Sequence, residues 1–166
     1  MKNQMQVVVT GLAWMGSGTG SIESAMERIF REAEHEVLIT SYAISNATDL
    51  ILDWFEAALA RGVLIRLIIN HLNEQPSDVV SRLESMYHRY NHLYLYSFED
   101  NQEYDLHAKI IVADRKLALV GSSNLSRRGL LNNHELALLI DGISAEQVAS
   151  AVDRLLMNSS TLAVTR

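Results

Sequence analysis

The 166-residue chain is long enough for one domain with a sizeable core; with 48% apolar residues, 20% charged residues and one proline, it excludes a disordered or low-complexity segment. The absence of cysteine excludes a disulfide framework and thiolate-bound zinc, and no apolar run approaches the length needed to span a bilayer. The formal net charge of −6 excludes a protein that coats nucleic acid through overall positive charge, so a polyanionic substrate would have to be held by local cations.

Val7 to Leu12 reads as a first strand: the start of the chain lacks an Ala-x-Ala cleavage site, and a cytoplasmic protein is expected. Ile22, Ala25, Met26, Ile29, Phe30 and Ala33 recur at helical spacing and predict an amphipathic helix. Val37 to Tyr42 reads as a strand. Asn46 with Asp49 marks the start of a second helix that buries Leu50, Ile51, Trp54, Phe55 and Ala58, and Gly62 ends it. Val63 to Ile69 is a continuous apolar strand of the kind found inside parallel sheets. Pro76 sits near the first turn of a third helix that buries Val79, Val80, Leu83, Met86 and Tyr87. Strands are predicted at 93–96, 106–113, 116–121 and 134–140, with Asp114-Arg115 as a tight turn. Ser144-x-x-Gln147 reads as a capping box opening a last helix that carries Val148, Ala149, Val152, Leu155 and Leu156. Helices between the early strands imply parallel crossovers, and the later strands, with no room for helices, must pair antiparallel. The expectation is a single α/β domain over 1–166, a mixed and mostly parallel sheet with helices on both faces.

The chemistry is concentrated in residues 107–124. His107 and Lys109, two apart in an extended run, project from one strand face with Ile111, while Ala108, Ile110 and Val112 point the other way. The next run ends in Gly121-Ser122-Ser123-Asn124, where glycine permits close backbone approach and a hydroxyl and an amide can donate to an anion. Imidazole, ammonium, hydroxyl and amide together suit a phosphodiester attacked by nitrogen. An imidazole is largely unprotonated near neutrality and is a competent nucleophile toward phosphorus, giving a covalent phosphohistidine that water later hydrolyses. Lys109, Ser122 and Asn124 would cradle the nonbridging oxygens as charge builds. Arg127 and Arg128, just past Asn124, are placed to bind substrate phosphates; Arg115 and Lys116 are further candidate cations. Against that, Glu99, Asp100, Glu103 and Asp105 crowd the loop before His107, as an electrostatic gate or as a solvated turn.

The spacing His107-x-Lys109, four residues, Asp114, six residues, Gly121-Ser122-x-Asn124 resembles the HKD motif of the phospholipase D superfamily, with every defining position filled. Asn132-Asn133-His134-Glu135, opening the run Leu136 to Ile140, resembles the place where the family keeps a carboxylate that orients the catalytic histidine, which implies that role for Glu135. The order of elements over residues 21–70 is similar as well. Asp114, at the far end of its strand, completes the motif but is read as structural or supporting rather than reacting. Family members with two motifs carry both histidines on one chain. Here His35, His71, His88, His92 and His134 all lack a lysine two residues on, so a homodimer is implied, with His107 of one copy as nucleophile and of the other as general acid. No metal or other cofactor is expected.

Other motifs weigh less. Gly16-Ser-Gly-Thr-Gly20 lacks the ending of a P-loop and reads as a flexible turn; His88 and His92 read as a satisfied or exposed pair rather than metal ligands; Tyr87, Tyr90, Tyr94, Tyr96 and Phe98 read as packing. Short single-motif members of the family are typically nucleases. The resemblance therefore implies an endonuclease of DNA or RNA, possible membership of a larger protein complex, and no membrane insertion. Two rival readings are a hydrolase of phospholipids or small phosphodiesters, and a non-catalytic interaction subunit of a nucleic-acid-processing complex.

Overall fold

The computed structural model describes residues 4–14, 16, 18–45, 49–102 and 104–165. In chain order the elements are β1 (Gln4–Thr10), β2 (Gly20–Ser21), α1 (Ile22–Glu32), β3 (Glu36–Ser41), α2 (Asp49–Ala60), β4 (Leu64–Asn70), α3 (Ser77–Arg89), β5 (Leu93–Phe98), β6 (Lys109–Ala113), β7 (Leu117–Gly121), β8 (Glu135–Asp141), α4 (Ile143–Leu156) and β9 (Thr161–Ala163). Among the described residues these strands form one nine-stranded sheet in the order β2-β1-β8-β7-β6-β3-β4-β5-β9. The helical crossovers through α2 and α3 make β3, β4 and β5 parallel. β6, β7 and β8 pair antiparallel, as their short connections require, and β6 also runs against β3.

The sheet is mixed, as expected, but not mostly parallel. Only β1–β2, β3–β4 and β4–β5 are parallel; the other five pairings are antiparallel. The sequence reading assigned no partner to the first strand and no strand after the last helix; β1 runs against β8, and β9 runs against β5.

Alternation along the strands feeds two cores. α1, α2 and α3 cover one face, burying Ile29, Phe30, Phe55 and Leu83 against Val37, Ile39, Ile65, Leu67, Ile111 and Leu119. α4 covers part of the other, where Ala145, Ala149 and Val152 meet Leu38, Ile68, Val112 and Ala118. Ile111 thus separates from Ile110 and Val112 as the period of two demands. Full burial of such aliphatic and aromatic side chains contributes roughly 1.5–3 kcal/mol each.

Several local expectations need correction. β1 leaves the sheet at Gly11, whose φ is +111°, so Leu12 to Trp14 form a helical turn instead of extending the strand. Leu50, in the first turn of α2, faces outward at 40% exposure, while Leu52 and Leu59 are buried in its place. The start of that helix at Asn46 lies outside the described residues. α4 begins one residue before Ser144, after Gly142, whose amide donates to Lys116 O at the end of the β7–β8 pairing and whose φ of +84° turns the chain out of the strand. The capping box is therefore not formed. His92 lies beyond the end of α3 and its Nε2 is 2.8 Å from Leu59 O, so His88 and His92 do not share a helix face. Among the described residues no helix is long and apolar enough to cross a membrane.

Candidate active site

Strand register brings the motif together. Lys109 on β6 stands opposite Gly121 on β7, and Gly121 stands opposite Ala137 on β8. The start of β6, the end of β7 and the start of β8 therefore share one end of the sheet. A side chain at Gly121 would place its Cβ 2.4 Å from Ala137 Cβ and 2.6 Å from Leu136 O, so only glycine lets β7 lie this close to β8. Ser122 is stitched across that contact: its amide donates to Leu136 O at 3.2 Å and its hydroxyl donates to the Glu135 carboxylate. The second oxygen of Glu135 accepts from Asn133 Nδ2 at 3.1 Å.

His107 is not on the strand. Regular pairing begins at Lys109, and the residues from Tyr104 to Ala108 are irregular. What fixes this segment is side-chain hydrogen bonding. Leu106 is buried and its amide donates to Asn70 Oδ1 at 2.8 Å, while Thr40 Oγ1 donates to Ala108 O at 2.9 Å. The imidazole of His107 is exposed between these two clamps.

The ammonium of Lys109 lies 3.0 Å from His107 Nδ1 and donates to His107 O at 2.7 Å. An ammonium has donors only, so Nδ1 accepts, and a neutral ring then carries its proton on Nε2. Attack through Nε2 requires the opposite tautomer. Burial pushes the Lys109 pKa down, and the charge of Glu135 opposes that shift. Glu135 is thus held by Ser122 and Asn133 and acts electrostatically on Lys109; no hydrogen bond joins it to His107 among the described residues.

Asn124 contributes a different signal. Its Oδ1 is buried and without a hydrogen-bond partner among the described residues. The loop is pinned on both sides. Leu125 forms a bridge with Ile44 beyond β3, and Gly129 lets the following turn lie against it, since a Cβ there would come within 2.5 Å of Ser123 Oγ and 2.7 Å of Asn124 O. A buried amide end left unpaired costs roughly 1–3 kcal/mol unless something meets it. Arg127 and Arg128 follow directly and are exposed.

The remaining candidates sort by position. Asp114 sits at the opposite end of β6 from Lys109, at φ +50° in the tight turn with Arg115 at φ +56°. Its carboxylate accepts three amides, from Glu34, His35 and Glu36, at 2.9, 2.8 and 2.9 Å, tying the turn before β3 to the β6–β7 hairpin. It is a scaffold residue, set apart from the reacting groups. Arg115 is removed from the list of substrate cations, because it pairs with Glu36 at 2.8 Å and bidentately with Asp153 of α4 at 2.7 and 3.1 Å.

The acidic loop is tied down too. Glu99 accepts from Ser97 and lies 2.8 Å from His71 Nδ1, Asp100 accepts from Ser160 Oγ, and Asp105 accepts from Asn70 Nδ2. Glu103 lies outside the described residues, as do Met15 and Ser17 around the glycine-rich turn. These bonds favour the structural reading of the loop over the gate.

Sequence reasoning missed Tyr42, whose ring packs on His107; a tyrosine ending an apolar strand gives no sign of what it faces.

Comparison with known proteins identifies the family and the fold. A family model described as "Cardiolipin synthase, PLD-like domain" matches residues 26–156. The DISARM protein DrmC of Bacillus paralicheniformis is 31% identical over 121 residues, which cover 72% of this chain and 49% of that protein; the chain thus spans about half the length of this relative. Among solved structures, the phospholipase D family member Nuc of Salmonella typhimurium superposes with a TM-score of 0.75 at 16% identity, over 99% of this chain and 100% of Nuc. NucT of Helicobacter pylori gives 0.76 at 17%, over 98% and 100%. The phosphatidylserine synthase of Haemophilus influenzae gives 0.72 at 16%, over 98% of this chain and 40% of the synthase. With its motif assembled at one end of the sheet and most of its length matched by the family model, this chain belongs to the phospholipase D-like family.

Proposed function

We propose that the chain is a phosphodiesterase that works without a metal, an endonuclease of DNA or RNA acting as a cytoplasmic homodimer. The observation that carries this is the convergence of His107, Lys109, Ser122, Asn124 and Glu135 at one end of three adjacent strands. When a phosphate enters, Lys109 moves from His107 Nδ1 to a nonbridging oxygen, and Asn124 donates through Nδ2 to the same group. Nδ1 is then free to take the proton and donate it to Glu135, so that Nε2 presents its lone pair. The Nε2–P bond forms as the P–O bond to the leaving group breaks. The leaving oxygen takes a proton from the second copy's histidine, which then deprotonates the water that hydrolyses the phosphohistidine. Arg127 and Arg128 supply local positive charge on a chain of net charge −6.

The lipid reading keeps some support from that acidic balance. One experiment separates the readings: purified protein and its His107→Ala variant are incubated in EDTA with labelled single- and double-stranded DNA, RNA, and phosphatidylcholine vesicles. Cleavage of nucleic acid by the wild type alone is expected. Choline release without strand cleavage would move the assignment to phospholipids. Inertness toward every substrate would leave an interaction subunit, consistent with a place in a larger complex.

A further inference from the structure

One aromatic ring touches both groups at the centre of the site. Tyr42 follows β3, half-buried, with its ring centroid 4.8 Å from that of the His107 imidazole and tilted by 53°. The Lys109 ammonium lies 5.3 Å from the same centroid. The backbone that carries this ring is fixed on every side. Ser41 is buried and its hydroxyl donates to Ala43 O at 2.9 Å; Ile44, also buried, donates its amide to Gln75 Oε1 at 3.0 Å and bridges Leu125. Gln75 Nε2 donates to Asn70 O at 2.8 Å and to Tyr42 O at 3.4 Å.

His107 precedes regular pairing; its backbone is held through Leu106 and Ala108, but strand geometry does not orient its ring. Lys109 has a long flexible stem. Tyr42 offers both of them a rigid ring on an anchored backbone.

We propose that Tyr42 is a positioning residue: its ring sets the plane of the His107 imidazole. The proposal rests on the phosphodiesterase reading above and adds a residue to it. The electrostatics favour the arrangement, since the negative face of an aromatic ring attracts an ammonium and also the positive charge that an imidazole gains as it bonds to phosphorus. Its value is orientation, because a misplacement of about 1 Å in a reacting group can cost on the order of a hundredfold in rate. The ring itself carries the effect, and the hydroxyl is dispensable.

The test compares Tyr42→Phe, Tyr42→Leu and Tyr42→Met, the last keeping bulk without a ring, using bis(p-nitrophenyl) phosphate as substrate and His107→Ala as blank. Tyr42→Phe should stay within about threefold of wild type, while Leu and Met should lower kcat by roughly 10- to 100-fold with KM within about threefold. In parallel, the ring protons of His107 are followed by NMR on histidine-labelled protein, assigned through the His107→Ala spectrum. Their ring-current shift should persist in Tyr42→Phe and vanish in Leu and Met. A raised KM with kcat intact would overturn the proposal by making Tyr42 a substrate contact. So would equal losses in Phe and Leu, or His107 shifts that ignore the ring. If the wild type cleaves no diester but the shifts respond as stated, the catalytic reading fails and the positioning geometry holds.

Discussion

Truncating Asp114 to alanine withdraws both carboxylate oxygens from the amides of Glu34, His35 and Glu36, which they hold at 2.8 to 2.9 Å. Hydrogen bonds to a charged acceptor contribute roughly 1.5–3 kcal/mol each when the partner is left unsatisfied. Here Glu34 and His35 are exposed and their amides can turn to water, so the sum is discounted to about 2–4 kcal/mol. Alanine at φ +50° adds about 1 kcal/mol of backbone strain, which asparagine largely avoids. Asp114→Ala should therefore lower Tm by roughly 6–20 °C for a chain of this size, and Asp114→Asn by less. Burial pushes this carboxyl upward, but the three amides and the nearby His35 pull it further down, so its pKa lies below the ordinary value. A depressed carboxyl stabilises the fold above its unfolded pKa of about 3.9 and loses that contribution as pH falls through the folded value. The gap between wild type and Asp114→Ala in urea melts should be full at pH 7 and narrow progressively as pH falls below about 4. At a temperature where both are folded, kcat should match wild type within about twofold, because the residue stands at the far end of β6 from Lys109. A tenfold loss of kcat with unchanged urea midpoint would refute the scaffold role and return Asp114 to the chemistry.

Replacing Arg127 and Arg128 together by alanine should raise KM for nucleic acid several-fold, most at low salt, with little change toward bis(p-nitrophenyl) phosphate; salt titration of cleavage rates checks it. Arg115→Ala should instead lower the urea midpoint and leave KM alone, since its guanidinium is paired with Glu36 and Asp153. For His71, the hydrogen bond to Glu99 raises the pKa, and Glu99 is itself lowered by Ser97 and His71. Stability from the histidine is full below about pH 6.5 and is lost as pH rises through the folded value; that from Glu99 is lost as pH falls below about 4.5. The difference in urea midpoint between wild type and His71→Gln should therefore be widest between those values. Gly121→Ala should destabilise by about 2 kcal/mol or more, because its Cβ meets Ala137 and the backbone of Leu136, and circular dichroism melts would show it.

Much of this architecture is written locally. The 3.6-residue period from Ile22 to Ala33 and the unbroken run Val63 to Ile69 each admit one reading, and the structure places both as expected. The tight turn at Asp114-Arg115 was legible because one of the few residue types tolerant of positive φ stood between two apolar runs. What escaped was set at long range. The pairing of β1 with β8 joins residues more than a hundred positions apart, and β9 is three residues long, too short for any period. The capping box at Ser144 failed because Gly142, where the β7–β8 pairing ends, takes the N-cap and leaves Ser144 inside the helix.

The site follows the same division. Which residue types are present, and their spacing, could be read directly; which group each one touches could not. His107 and Lys109 were expected to meet through strand alternation, yet the structure brings them together with His107 off the strand, held by Asn70 and Thr40 from β4 and β3 through its neighbours Leu106 and Ala108. Arg115, the basic residue nearest the motif in sequence after Lys109, is spent on α4, while the exposed pair Arg127-Arg128 lies just past Asn124. The resting contact between Lys109 and His107 Nδ1 gives this arrangement a chemical consequence. In the proposed mechanism this contact holds His107 in the tautomer that cannot attack through Nε2, so a phosphate that draws the ammonium away would arm the histidine. Substrate recognition and activation of the histidine would then become one step, performed by a lysine whose charged form burial already disfavours.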